Sequence, residues 1–142
     1  MAQRFWVVFD TVTGTGEHLV ESRFQFAPGE LVLTGNGART DNEDANLQIV
    51  CRPMAAFTDA HIECGQEDPR GGWYSDSYGK IEPAPALTMS LRTSLPWSAV
   101  TLLNPYRGAN IPGSELSFDG TTAVIRHFEL GETRVALTMP KE

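Results

Sequence analysis

The stretch His18-Leu19-Val20-Glu21-Ser22-Arg23-Phe24-Gln25-Phe26 decides the fold class. Val20, Phe24 and Phe26 fall on one parity, and Glu21, Arg23 and Gln25 on the other. A strand sends successive side chains to opposite faces, so this period of two describes a half-buried strand with one apolar and one charged face. Ala27-Pro28-Gly29 ends it, and Thr13-Gly14-Thr15-Gly16 is a turn before it. Upstream of that turn, Phe5-Trp6-Val7-Val8-Phe9 is a continuous aromatic and β-branched run, which predicts a strand covered on both faces.

The same period continues downstream. Leu31-Val32-Leu33 precedes Gly35-Asn36-Gly37, where Asn-Gly is a strong hairpin signal. Thr40 and Glu43 have the spacing of a helix capping box. Asp and Asn are poor helix formers, however, and Leu47, Ile49 and Cys51 alternate directly afterwards, so loop then strand is the reading. Ala60–Cys64 is a short strand, and Leu87–Ser94 places Leu87, Met89 and Leu91 on one face. Trp97–Leu103 is an apolar strand closed by Asn104-Pro105. Glu115–Phe118, Ala123–Glu129 and Arg134–Met139 complete the pattern, with turns at Asp119-Gly120 and Gly131. Roughly ten short strands at this spacing predict an all-β chain, an antiparallel β-sandwich in a single domain spanning residues 1–142.

Composition agrees. Thirteen Gly and nine Pro are spread along 142 residues, and the longest stretch free of both runs only from Ala38 to Arg52. A helical bundle needs several longer runs, so that class is excluded. No apolar stretch has the length of a membrane-spanning helix, so no membrane partner is expected. The N-terminus lacks the charged and apolar regions of a secretory signal, and compartment stays open. Eighteen Asp and Glu against eleven Lys and Arg leave a net charge of −7, with the basic residues scattered singly. Such a surface repels phosphate backbones, so no nucleic-acid partner is expected.

Several residue sets bear on chemistry. Cys51 and Cys64 have neither redox-motif nor zinc spacing. If Asn46–Arg52 and Ala60–Cys64 pair as a hairpin, the two thiols approach each other, and two free thiols is the favoured reading over a disulfide. Asp41, Glu43 and Asp44 crowd three carboxylates together without calcium-loop spacing and read as a solvated acidic turn. His18, His61 and His127 are single histidines on strands and read as surface or core residues rather than general bases or ligands. There is no nucleophile elbow and no phosphate-cradling glycine loop. No cofactor, metal or catalytic residue is therefore assigned.

The remaining candidate is Gly72-Trp73-Tyr74-Ser75-Asp76-Ser77-Tyr78-Gly79-Lys80. Indole and phenol rings stack on sugar faces, while Tyr hydroxyls and a Lys ammonium reach sugar hydroxyls or carboxylates. Trp73, Tyr74, Tyr78 and Lys80 are the carbohydrate-binding candidates. The competing reading is structural: aromatics pin a long loop across the sandwich edge, and glycines allow it to bend.

At this segment the chain resembles a known family. Gly72-Trp73-Tyr74-Ser75, then Tyr78-Gly79, then Glu82-Pro83-Ala84-Pro85 resembles the C-terminal region of the heparinase II/III-like polysaccharide lyases. Phe5-Trp6-Val7-Val8-Phe9-Asp10 with Gly14-Thr15-Gly16-Glu17-His18, Phe24-Gln25-Phe26-Ala27-Pro28-Gly29, and Val100-Thr101-Leu102-Leu103 before Pro105 agree in order and spacing. The likeness runs from Arg4 to about Arg107.

The resemblance implies an antiparallel β-sandwich that in full-length members follows an N-terminal helical toroid. It also implies cleavage of uronic-acid polysaccharides by β-elimination. The family's catalytic Tyr and Asn or His lie largely on the toroid and at its cleft with the sandwich, so the chain alone is expected to be non-catalytic, beginning inside the sandwich region. Some members carry a His at the position of Gln25, with a metal held near there by an aspartate like Asp10. Gln is a poor transition-metal ligand, so no metal is carried over. The charge of −7 favours a non-sulfated uronate over heparin. Three roles stay open: a supporting or cleft-lining part of a lyase, a stand-alone carbohydrate-binding module, or a structural domain that self-associates through edge strands.

Overall fold

The structure, a computed structural model, describes residues 5–53, 55–128 and 130–137. It is all-β, and every ladder in it is antiparallel. The strands in chain order are β1 (Trp6–Val12), β2 (Glu17–Gln25), β3 (Leu31–Thr34), β4 (Gly37–Thr40), β5 (Ala45–Pro53) and β6 (Asp59–Glu63). There follow β7 (Gln66–Glu67), β8 (Arg70–Gly71), β9 (Trp73–Ser77), β10 (Lys80–Pro83), β11 (Ala86–Ser94) and β12 (Trp97–Arg107). The last three are β13 (Ser114–Phe118), β14 (Thr122–His127) and β15 (Gly131–Ala136).

Alternation along β5 and β12 explains the layering. Ile49, Cys51, Trp97 and Ala99 point to one face, where they pack with Val20, Phe26, Leu87, Met89 and Leu91. Val50, Val100 and Leu102 point to the other, where they meet Leu116, Ala123 and Ile125. The five-stranded sheet β1-β12-β5-β4-β3 is thus a middle layer. The sheet β2-β11-β6 covers one of its faces and β13-β14-β15 the other. The sandwich expected from the sequence is present, with a third sheet laid on its far side. That layer explains why Val100, Thr101 and Leu102 are all buried in succession: strands buried on both faces lose polar alternation.

Several local expectations need correction. β1 is not covered on both faces. It is an edge strand; Phe5, Val7 and Phe9 pack inward, whereas Trp6 is 59% exposed because the three-stranded cover does not extend over it. Residues 45–53 and 59–63 do not form a hairpin. β5 pairs with β12 and β4, while β6 pairs with β11 in another sheet. Cys51 is buried, Cys64 is exposed, and both are free. β12 is not closed at Asn104-Pro105 but runs on to Arg107. The described ladder with β1 ends at Leu103, so the missing Pro N–H falls where only β5 is alongside among the described residues. The hairpin at 35–37 turns through Gly35 and Asn36, since Thr34 pairs with Gly37. The segment 72–80, one reading of which is a long loop, contributes instead to a hairpin of β9 and β10, and the short β7–β8 hairpin precedes it. The expected ends of the last two strands, Glu129 and Met139, lie outside the described residues.

The middle layer sets the stability. Leu102 is fully buried on the most enclosed strand. Leu102→Ala should cost about 2–5 kcal/mol in chemical denaturation, with one cooperative transition retained. Two separate transitions would show that the third sheet folds apart from the other two.

Candidate functional site

Asp59-Ala60-His61-Ile62-Glu63 alternates strictly along β6. Ala60 and Ile62 face inward, opposite Met89 and Leu87 of β11. Asp59, His61 and Glu63 therefore share the outer face of the three-stranded sheet. Register across the sheet adds their neighbours. His61 lies opposite Thr88, and Thr88 opposite Arg23 of β2; Glu63 lies opposite Ala86, and Ala86 opposite Gln25.

These side chains form a chain of charge. His61 Nδ1 is 2.8 Å from Asp59 Oδ2, and its Nε2 is 3.5 Å from Glu63 Oε1. Glu63 Oε2 is 2.6 Å from Arg23 Nη2. A neutral imidazole has one N–H, so between two carboxylates one of its nitrogens would present a lone pair to negative charge. The hydrogen bond to Asp59 first, and that to Glu63 after it, raises the His61 pKa above its ordinary 6.5. Gln25 is held differently: its Nε2 donates to the Phe26 and Pro85 carbonyls, each at 3.1 Å.

An arm rises beside this face. The chain leaves β6 at Cys64 and returns at Ala84. At the base, the Gly72 carbonyl accepts from both Gly65 N and Ala84 N at 2.8 Å. Gly72 has φ +70°, and a Cβ there would collide with the Glu63 and Cys64 backbone. Only glycine fits this position. β7 pairs with β8 and β9 with β10, and the indole Nε1 of Trp73 donates to the Gln66 carbonyl at 2.9 Å, tying the two hairpins together.

All four carbohydrate candidates lie on the β9–β10 hairpin. Trp73 and Tyr74 are consecutive, so they face opposite sides of it; both are half-buried. Tyr78 is fully exposed at the tip, and Lys80 Nζ is 3.6 Å from Asp76 Oδ2. The structure therefore brings the four onto one element but not onto one face. Asp59 also reaches the rim of an open cavity of about 560 Å³, floored by Cys51, Met89 and Phe57 and edged by Asn36 and Arg52.

The other sequence candidates lie elsewhere. His18 is exposed, and its Nε2 donates to the Thr15 carbonyl at 3.0 Å. His127 is buried on β14. Asp41 pairs with Arg39 at 3.6 Å and Asp44 with Arg107 at 3.2 Å. Among the described residues no group of three His, Cys, Asp or Glu is arranged to hold a metal ion. The Asp59, His61, Glu63 and Arg23 cluster was missed because each residue was read singly. Alternation in residues 59–63 was the available signal, but Arg23 joins only through β11.

Two solved structures titled as the heparinase III BT4657 gene product match. One has a TM-score of 0.75 at 17% identity, and the other, with methylated lysines, 0.72 at 16%. Each match covers 95% of this chain. This chain has the fold of one part of heparinase III. It spans 22% of the length of those chains. No family model and no curated protein matches the sequence.

The His61 cluster gives a pH dependence of stability. Its folded pKa is raised, so the contribution is fully present below 6.5 and is lost as pH rises through the folded value. His61 is largely exposed, so the contribution is at most about 1 kcal/mol. The thermal midpoint of wild type relative to His61→Gln should fall as pH rises across this window. Parallel midpoints over the whole window would show that the cluster adds nothing.

Proposed function

We propose that this chain is a glycan-facing β-sandwich of a polysaccharide lyase of the heparinase II/III kind, which supports or lines the glycan cleft without performing the elimination itself. The shared fold with heparinase III over nearly the whole chain carries this reading. β-Elimination needs a base for the proton α to the uronate carboxylate, a group that neutralises the carboxylate, and an acid for the leaving oxygen as the C–O bond breaks and a C=C bond forms.

The described residues favour a supporting role. The Tyr106 hydroxyl is buried and donates to the Thr40 carbonyl at 2.6 Å. Tyr78 stands at a hairpin tip, and His61 lies between two carboxylates on another element. The net charge of −7 disfavours densely sulfated chains and leaves non-sulfated uronates, such as alginate-like polymers, as the less strongly repelled substrate class.

A second reading is a stand-alone carbohydrate-binding module. It is favoured by the full exposure of Tyr78 and the exposure of Ile81 beside it on the arm. Trp73 also holds β7 in place, so its removal tests folding as well as binding; Tyr78→Ala is the cleaner variant. Under either reading, unsulfated oligouronates should bind the chain, and Tyr78→Ala should weaken binding about fivefold without moving the thermal midpoint. Absence of binding would leave a structural or self-associating domain. Under both readings, incubation with the polymers should produce no ultraviolet absorbance from unsaturated uronate; a sustained rise would overturn the supporting role.

A further inference from the structure

Gly37 opens β4 because nothing larger fits there. A Cβ would collide with the Ile49 carbonyl of β5, which passes directly over it. Asn36 is constrained as well. Its carboxamide oxygen accepts from Arg52 Nη1 at 2.6 Å and Nη2 at 2.7 Å, the orientation that sets an acceptor against two donors. The guanidinium is itself fixed: Nε donates to the Leu116 carbonyl of β13 at 3.0 Å, and Nη1 to the Cys51 carbonyl at 3.4 Å. Packing thus sets an asparagine directly before a glycine, the single Asn-Gly pair of the chain. That pair carries a chemical liability, since no side chain shields the glycine nitrogen from the neighbouring carboxamide carbon.

The fold supplies the shielding that Gly37 lacks. Gly37 lies between Thr34 of β3 and Val50 of β5 in two ladders, and the Asn36 carbonyl accepts from Cys51 N at 2.8 Å. The main chain on both sides of the Asn36–Gly37 peptide is therefore held. Ring closure needs the carboxamide carbon in line with the Gly37 nitrogen and about 3 Å from it. The guanidinium also draws electrons from that carbon through its oxygen. Position outweighs this effect, because an activated carbon that cannot reach the nitrogen does not react.

We propose that Asn36-Gly37 is a latent site of self-modification, a succinimide-forming pair that Arg52 and the ladders of β3, β4 and β5 keep closed in the native chain. On release, the Gly37 nitrogen loses its proton to water and attacks Cγ of Asn36. A C–N bond forms, and the side-chain nitrogen leaves as ammonia. Water then opens the ring at one of its two carbonyls, cleaving a C–N bond, and leaves either an aspartate or an isoaspartyl linkage. The two products differ in fit. An aspartate offers Arg52 a carboxylate in place of a neutral amide, at the edge of the cavity floored by Cys51, Met89 and Phe57. An isoaspartyl linkage adds one methylene to the main chain of a tight turn and cuts out of that chain the carbonyl that Cys51 N reaches. The modification is a one-way change from neutral to negative at the cavity rim, open only to a chain that has unfolded locally.

The test is peptide mapping by mass spectrometry of the full chain incubated at mildly alkaline pH, beside the same chain held unfolded in urea. Conversion at Asn36 should be at least about tenfold slower in the folded chain, the factor being the equilibrium for local opening. Arg52→Gln should raise the folded rate about fivefold and leave the unfolded rate unchanged. If that variant does not fold, Arg52→Lys, which keeps the charge but loses the two-pronged contact, takes its place under the same criteria. Asn36→Asp should match or exceed the wild-type thermal midpoint at neutral pH, with the margin lost as pH falls through the carboxylate range. Equal rates in the folded and unfolded chains would overturn the closed site, as would an Arg52 variant that converts no faster than wild type. A neutral-pH midpoint of Asn36→Asp below wild type would remove Arg52 as the group that holds this position.

Discussion

Everything in this molecule depends on the antiparallel pairing of β5 with β12. The ladder runs from Ala99 opposite Pro53 to Arg107 opposite Ala45, and side chains from both strands are buried on both sides. A sheet covered on one face can tolerate a polar residue at every second position. One covered on two faces cannot, so its central strands must be apolar or satisfied throughout. Thr101 and Asn104 are the exceptions: Thr101 Oγ1 donates to the Cys51 sulfur at 3.3 Å, and Asn104 Nδ2 donates to Ser114 Oγ at 2.8 Å, while Asn104 Oδ1 is buried without a hydrogen-bond partner among the described residues. The buried Cys51 thiol is accordingly pushed up by burial, which suits a packing role and not nucleophilic chemistry.

From that pairing the outer layers follow. Once β5 and β12 are fixed, Leu87, Met89 and Leu91 of β11 have one place to be buried, and the opposite parity of β11 must face away. The outward row carries Ala86, Thr88 and Ser90, small residues over which the longer side chains of β2 and β6 meet. Arg23 and Glu63 are separated by an entire strand in the sheet, yet their side chains come within ion-pair distance because Ala86 and Thr88 leave room between them. The charge cluster is thus a consequence of small residues on the central strand of its sheet.

This is also where sequence reasoning reached its limit. Alternation in His18–Phe26 and Leu87–Ser94 was legible because a period of two is a local property, and it gave the fold class and the inward faces of β2 and β11. The third layer was not legible. Val100, Thr101 and Leu102 reveal double coverage, but nothing local says which strands provide it. The site was harder still. Asp59, His61 and Glu63 could have been grouped by parity, whereas Arg23 enters through pairing between strands far apart in sequence. The aromatic segment was recognisable by composition alone, but its two-sided presentation came from adjacent numbering of Trp73 and Tyr74, which strand geometry separates.

Charge distribution decides what such a face can recognise. The cations nearest the arm, Arg23, Lys80 and Arg70, each sit beside a carboxylate: Glu63, Asp76 and Glu67. None contributes an uncompensated positive field at a distance, and the net charge of −7 repels any polyanion that approaches. Recognition of a heavily sulfated chain relies on long-range attraction, which this surface lacks. Recognition of an isolated carboxylate flanked by hydroxyls relies instead on short directional bonds and a sugar face against an aromatic ring, and these survive an unfavourable net charge. On the proposed glycan-facing reading, a surface of paired charges beside an aromatic arm would select by contact geometry and against charge density.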